Sequence, residues 1–103
     1  MQYDFGNKHL IELYTKGKSK KYNFIDRNLA KIFVARIDRI EAAAVITDLY
    51  FPPAMHFEGL DGHKDCFSVR INKKYRIEFR IDFTNSAGTV GDVLILDVTK
   101  HYE

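Results

Sequence analysis

Apolar positions along this chain follow two periods, and the change falls at Pro52-Pro53. Before the prolines the spacing is helical. Leu10, Ile11, Leu13 and Tyr14 supply one apolar side, and Leu29, Ile32, Phe33, Ile37, Ile40 and Ala44 form a longer stripe. Asn7 is placed to cap a first helix running through about Tyr14. Asp26 is placed to cap a second, which fades near Ala43 to Ile46. Arg27, Lys31, Asp38 and Glu41 take its wet side. Gln2 to Phe5 reads as a short strand. Pro52-Pro53 forbids helix and imposes an extended turn.

After the prolines the period is two. Residues 55–58 are predicted as a short strand, and Asp61 to Asp65 as a turn. From about Cys66 to Asp82 the pattern is a β-hairpin. With Asn72, Lys73 and Lys74 as its loop, Ile71 faces Tyr75, Arg70 faces Arg76, Val69 faces Ile77, Ser68 faces Glu78 and Phe67 faces Phe79. One face is then apolar and the other polar, as a half-buried antiparallel pair requires. Thr84 to Thr89 is a small-residue loop. The consecutive Val93, Leu94, Ile95 and Leu96 predict a strand central in the sheet and covered on both faces. The order β-α-α-β-β-β-β is α+β, with two N-terminal helices on one face of a mostly antiparallel, twisted sheet.

At 103 residues, 46% of them apolar and 29% charged, residues 1–103 make one globular domain. Cys66 is the single cysteine, which leaves no disulfide framework and no CxxC metal site. Residues Met1 to Phe5 lack a basic stretch followed by an apolar one, and no apolar run has membrane-spanning length. The expectation is a cytoplasmic protein with no membrane partner. Net charge is only +2, but its distribution is uneven. Residues 1–40 carry nine Lys/Arg against four Asp/Glu, and residues 41–103 carry seven against ten. A basic first half is suited to nucleic acid, or equally to a solvated helical face.

The hairpin carries the chemistry. Arg70 and Arg76 oppose each other as like charges, which is destabilising unless an anion or water relieves them. Guanidinium forks grip phosphate oxygens in pairs. Glu58, with Asp61 close by, is a carboxylate just before a turn. It suits a general base, although such an acid is more often a surface ion-pair partner. His101 and Tyr102 continue the most apolar strand, and histidine titrates near neutrality. His56, Asp61, His63, Asp65 and His101 match neither a zinc signature nor a calcium loop, so no metal site and no cofactor are expected. A base, paired arginines, a histidine and a tyrosine are the parts for metal-free RNA cleavage. The base deprotonates a ribose 2′-hydroxyl, arginines stabilise the phosphorane oxygens, and an acid protonates the leaving 5′-oxygen.

At these residues the chain resembles the RelE/ParE toxin superfamily, and within it the HigB-like toxins. The carrying segments are Pro52-Pro53, Phe57-Glu58-Gly59-Leu60-Asp61-Gly62, Phe67 to Asn72 with Tyr75-Arg76-Ile77, and His101-Tyr102. The resemblance covers nearly the whole chain and implies a RelE-like fold. It further implies a ribosome-dependent endoribonuclease of a type II toxin–antitoxin system, cleaving mRNA in the A site. Its partners would be the ribosome, mRNA and a HigA-like helix-turn-helix antitoxin. Carried over by position, Glu58 is the general base, Arg70 and Arg76 stabilise the scissile phosphate, His101 is the general acid, and Tyr102 orients the nucleotide. Lys16, Lys18, Lys20 and Lys21 fall where ribosomal RNA would be gripped. Two features depart from the pattern. Asp61 stands where many HigB-like chains have lysine, and the net charge is low. The alternative within the superfamily is a ParE-like gyrase inhibitor, or a degenerate toxin that only binds its antitoxin.

Overall fold

The computed structural model describes residues 1–100. Strand β1 (Tyr3–Phe5) leads into helix α1 (Lys8–Lys16). The Asn7 side chain caps α1 by accepting from the backbone N–H groups of His9 and Leu10 at 2.9 and 3.0 Å. Gly17 ends it at φ 74°, where a side chain would be strained, and donates to the Leu13 carbonyl. Helix α2 (Arg27–Ala42) starts at Asp26, whose carboxylate accepts from Leu29 N–H at 2.8 Å. Ala30, Phe33, Ile37 and Ile40 form its buried stripe, the spacing that the sequence displays.

Strands β2 (Glu58–Gly59), β3 (Cys66–Arg70), β4 (Tyr75–Phe83) and β5 (Gly91–Lys100) complete a five-stranded sheet in the order β1-β5-β4-β3-β2. Among the described residues only the β1–β5 pair is parallel. The expected α+β architecture is therefore present. Val69, Ile77, Phe79, Ile81 and Ile95 are fully buried and, with Leu10, Leu13 and the α2 stripe, form one core. At Gly91 a Cβ would lie 2.5 Å from the Asp82 carbonyl oxygen, so only glycine lets β5 enter the sheet beside β4.

Three local expectations are corrected. Pro53 begins a single 3-10 turn, Pro53–Met55, rather than excluding helix. Proline is tolerated at a first helical position because its missing N–H has no partner there anyway. A further 3-10 turn, Ile46–Tyr50, follows α2. The strand expected over 55–58 shrinks to Glu58–Gly59, because Met55 is buried at the end of its turn and His56 adopts a left-handed backbone at φ 45°. The middle strand is β4, not β5. The apolar run in β5 has another cause. The pairing skips Leu96, so that Glu78 lies opposite Asp97 and Phe79 opposite Ile95. This bulge puts both Ile95 and Val98 on the buried face, at a spacing that breaks strict alternation.

Candidate active site

The hairpin register is the one the alternation predicts, with Arg70 opposite Arg76 and Ser68 opposite Glu78. Asn72 fixes the turn. Its side-chain oxygen accepts from the N–H groups of Lys74 and Tyr75, both at 2.9 Å. Across the polar face two rows of side chains result. One runs Glu58, Ser68, Glu78 and Asp97, and the next runs Arg70, Arg76 and Thr99.

Glu58 and Arg76 line one cleft of about 510 Å³, together with Asp61, His63 and Glu78. Glu58 is exposed. Arg76 is held firmly. Its Nη2 lies 3.0 Å from Glu78 Oε2, and its Nε donates to the same oxygen at 3.1 Å. The Thr99 hydroxyl also donates to Glu78 Oε2 at 3.1 Å. Both partners of the pair are about three-quarters buried, so screening by solvent is reduced. Within the described residues Glu78 pairs with Arg76, its neighbour two positions along β4. A same-strand i, i+2 pair faces the same side, and the bulge in β5 brings Thr99 alongside it.

Arg70 borders a different cleft, of about 340 Å³, with Arg36, His56 and Lys73 among its walls. Arg36 Nε donates to the Arg70 carbonyl at 2.9 Å. Burial pushes the Arg36 guanidinium below its usual pKa. Arg36 was not singled out by sequence reasoning. Its signal was position: it stands one residue before Ile37 on α2, at the border of the apolar stripe. Thr99 and Glu78 were likewise not assigned a role in holding Arg76, because only the three-dimensional register joins them.

The basic loop lies elsewhere. Lys16, Lys18 and Lys20 border a cleft of about 480 Å³ with Glu12, Ser19 and Ile25. Lys21 Nζ sits 5.7 Å from the Tyr22 ring centroid. Tyr22 anchors the loop to β5: its hydroxyl donates to Asp97 Oδ1 at 2.8 Å and accepts from the Asn7 amide at 3.2 Å. Burial, opposed by the Asn7 contact and assisted by Asp97, pushes the Tyr22 hydroxyl up to about 12. Phe24 then packs on Tyr75, ring centroids 5.0 Å apart, beside the start of β4. The structure thus brings Glu58 and Arg76 together, sets Arg70 at the far side of the same strand pair, and leaves the four lysines in a separate patch. His101 and Tyr102 lie outside the described residues.

The chain is similar to known proteins over most of its length. The family described as the RelE-like toxin of type II toxin–antitoxin system HigB matches residues 3–96. An uncharacterised protein of Haemophilus influenzae is 33% identical over 79 residues, 76% of each chain. Toxin HigB-1 of Vibrio cholerae is 31% identical over 81 residues, covering 78% of this chain and 83% of that one. In structure, a YoeB/ParE toxin from Agrobacterium tumefaciens superposes with a TM-score of 0.62 over 99% of this chain and 100% of the other. At 14% identity that last likeness speaks for the fold alone.

Proposed function

The chain belongs to the HigB-like toxins of type II toxin–antitoxin systems, and we propose that within this family it is an endoribonuclease that cleaves translated mRNA in the ribosomal A site. A type II toxin implies a cognate antitoxin. The antitoxin in this reading is HigA-like, with a helix-turn-helix. The observation that carries the reading is that Glu58 and Arg76 line one cleft while Arg70 stands directly across the strand pair from Arg76.

The proposed reaction needs a proton acceptor and fixed cations beside one phosphate. Glu58 takes the proton of the ribose 2′-hydroxyl. The 2′-oxygen attacks phosphorus and the bond to the 5′-oxygen breaks, leaving a 2′,3′-cyclic phosphate and a 5′-hydroxyl. Arg76, pre-positioned by Glu78 and Thr99, meets the charge that gathers on the phosphorane oxygens. Arg70 does the same from the opposing strand. The proton for the 5′-oxygen is assigned to His101, with Tyr102 orienting the nucleotide. The lysine loop, tied to β5 through Tyr22, would grip ribosomal RNA.

One observation favours the non-catalytic alternative. Asp61 and Glu78 line the same cleft as Glu58, and carboxylates repel phosphate. Mapping mRNA ends after induction in cells separates the two readings. Breaks at A-site codons, lost in Glu58→Gln and Arg76→Ala, support the endoribonuclease. Intact mRNA with broken DNA supports a ParE-like gyrase inhibitor, and neither supports a chain that only binds its antitoxin.

A further inference from the structure

The second cleft differs from the first in having only cationic and neutral walls. Arg36, Arg70 and Lys73 border it, with His56 and Asn72, and no carboxylate lines it among the described residues. Arg36 comes from a rigid helix and is pinned by its bond to the Arg70 carbonyl. Lys73 projects from a turn that Asn72 locks. Desolvation already disfavours the Arg36 cation, and a bound anion relieves such a penalty by supplying the opposite charge.

Continuity with the first cleft identifies the anion. Arg70 walls the basic cleft and Arg76 walls the acidic one, yet the two are cross-strand partners. Opposed residues of an antiparallel pair stand only about 5 Å apart at Cα. A chain of regularly spaced phosphates crossing this strand pair would therefore touch both clefts. We propose that Arg36 and Lys73, beside Arg70, form a second phosphate subsite, holding the RNA phosphodiester next to the one that Arg70 and Arg76 share. The proposal rests on the endoribonuclease reading, since it takes Arg70 and Arg76 as the contacts to the scissile phosphate.

The test uses the full chain and two oligoribonucleotides whose 2′-O-methyl groups remove the attacking hydroxyl. The dinucleotide has one phosphodiester and the trinucleotide two. Binding is followed by NMR titration at several salt concentrations. The trinucleotide should bind about tenfold more tightly, because an added charge-assisted contact is worth roughly that factor. Its dependence of log affinity on log salt should be steeper by about 0.7 for the added phosphate. In Lys73→Ala and Arg36→Gln the affinity ratio should fall towards one and the extra slope should vanish. Lys73 is exposed on the turn, so its variant tests the subsite without disturbing the Arg36–Arg70 bond. A dinucleotide that binds near Arg76 while the third nucleotide adds nothing overturns the subsite alone. An unchanged ratio and slope in both variants do the same. If neither oligomer binds, the subsite is overturned, while the cleavage reading is decided separately by the mapping of mRNA ends in cells.

Discussion

Two clefts flank one pair of arginines, and their charges are opposite. The first holds Glu58, Asp61 and Glu78 around Arg76 and His63. The second holds Arg36, Arg70, Lys73 and His56. On the proposed function the difference answers two demands that one surface cannot satisfy at once. Proton abstraction needs a carboxylate close to the reacting phosphate, but each carboxylate also repels that phosphate. Placing binding charge on the other side of the strand pair separates the two tasks. In the proposed reaction the acidic cleft supplies the base and one firmly held guanidinium, and the basic cleft adds attraction. In this account Glu78 is a positioning residue: it orients Arg76 while partly neutralising it.

The largest effect is expected at Glu58. Glu58→Gln keeps the shape of the acidic cleft and removes the proposed proton acceptor. Cleavage of translated mRNA should fall by about a thousandfold, within the span that general acid–base groups contribute. Arg76→Ala should cost about a hundredfold, the scale of one lost transition-state donor. Next comes a gain. Asp61→Asn leaves the base in place and removes a repulsive charge from the same cleft. Because Asp61 is exposed, the effect is limited to roughly 1 kcal/mol, or a rise of about fivefold in cleavage rate, and high salt should erase it. These rates can be compared by primer extension at equal toxin levels.

The smallest effect on cleavage is expected where neither cleft is touched. Tyr22→Phe removes the donor to Asp97 and should lower stability by about 1.5 kcal/mol, read from the urea midpoint. The native Tyr22 hydroxyl ionises at about 12 rather than at its ordinary 10. Its contribution is therefore complete below pH 10 and is lost as pH rises from 10 to about 12, where the unfolded chain has released the proton and the folded chain has not. The variant should show a shallower fall across that window.

Much of this was legible in the chain because local chemistry set it. Asn7 and Asp26 mark both helix starts with side chains that satisfy backbone N–H groups. The alternation from Phe67 to Phe79 fixes the hairpin register, because a slip of one residue would bury Arg70 and Arg76. From that register the pairing of the two arginines follows directly. What stayed hidden depends on contacts between distant segments. Arg36 reaches the Arg70 carbonyl across 34 positions, and Thr99 reaches Glu78 across 21. The bulge at Leu96 leaves no local signal beyond an unbroken apolar run, which reads equally well as a fully covered strand. The proline segment misled because proline excludes helix interiors but suits first turns, and Pro53 begins one.

The central claim is that the acidic cleft is a cleavage site and not a vestige. The most direct measurement is the chemistry of mRNA ends on ribosomes stalled after induction, for the parent and for Glu58→Gln at matched expression. The account predicts 2′,3′-cyclic phosphate upstream and 5′-hydroxyl downstream of an A-site break in the parent, and about a thousandfold fewer such ends in the variant. Ends of the same kind and number in Glu58→Gln, or growth arrest by the parent with uncut mRNA, would contradict it.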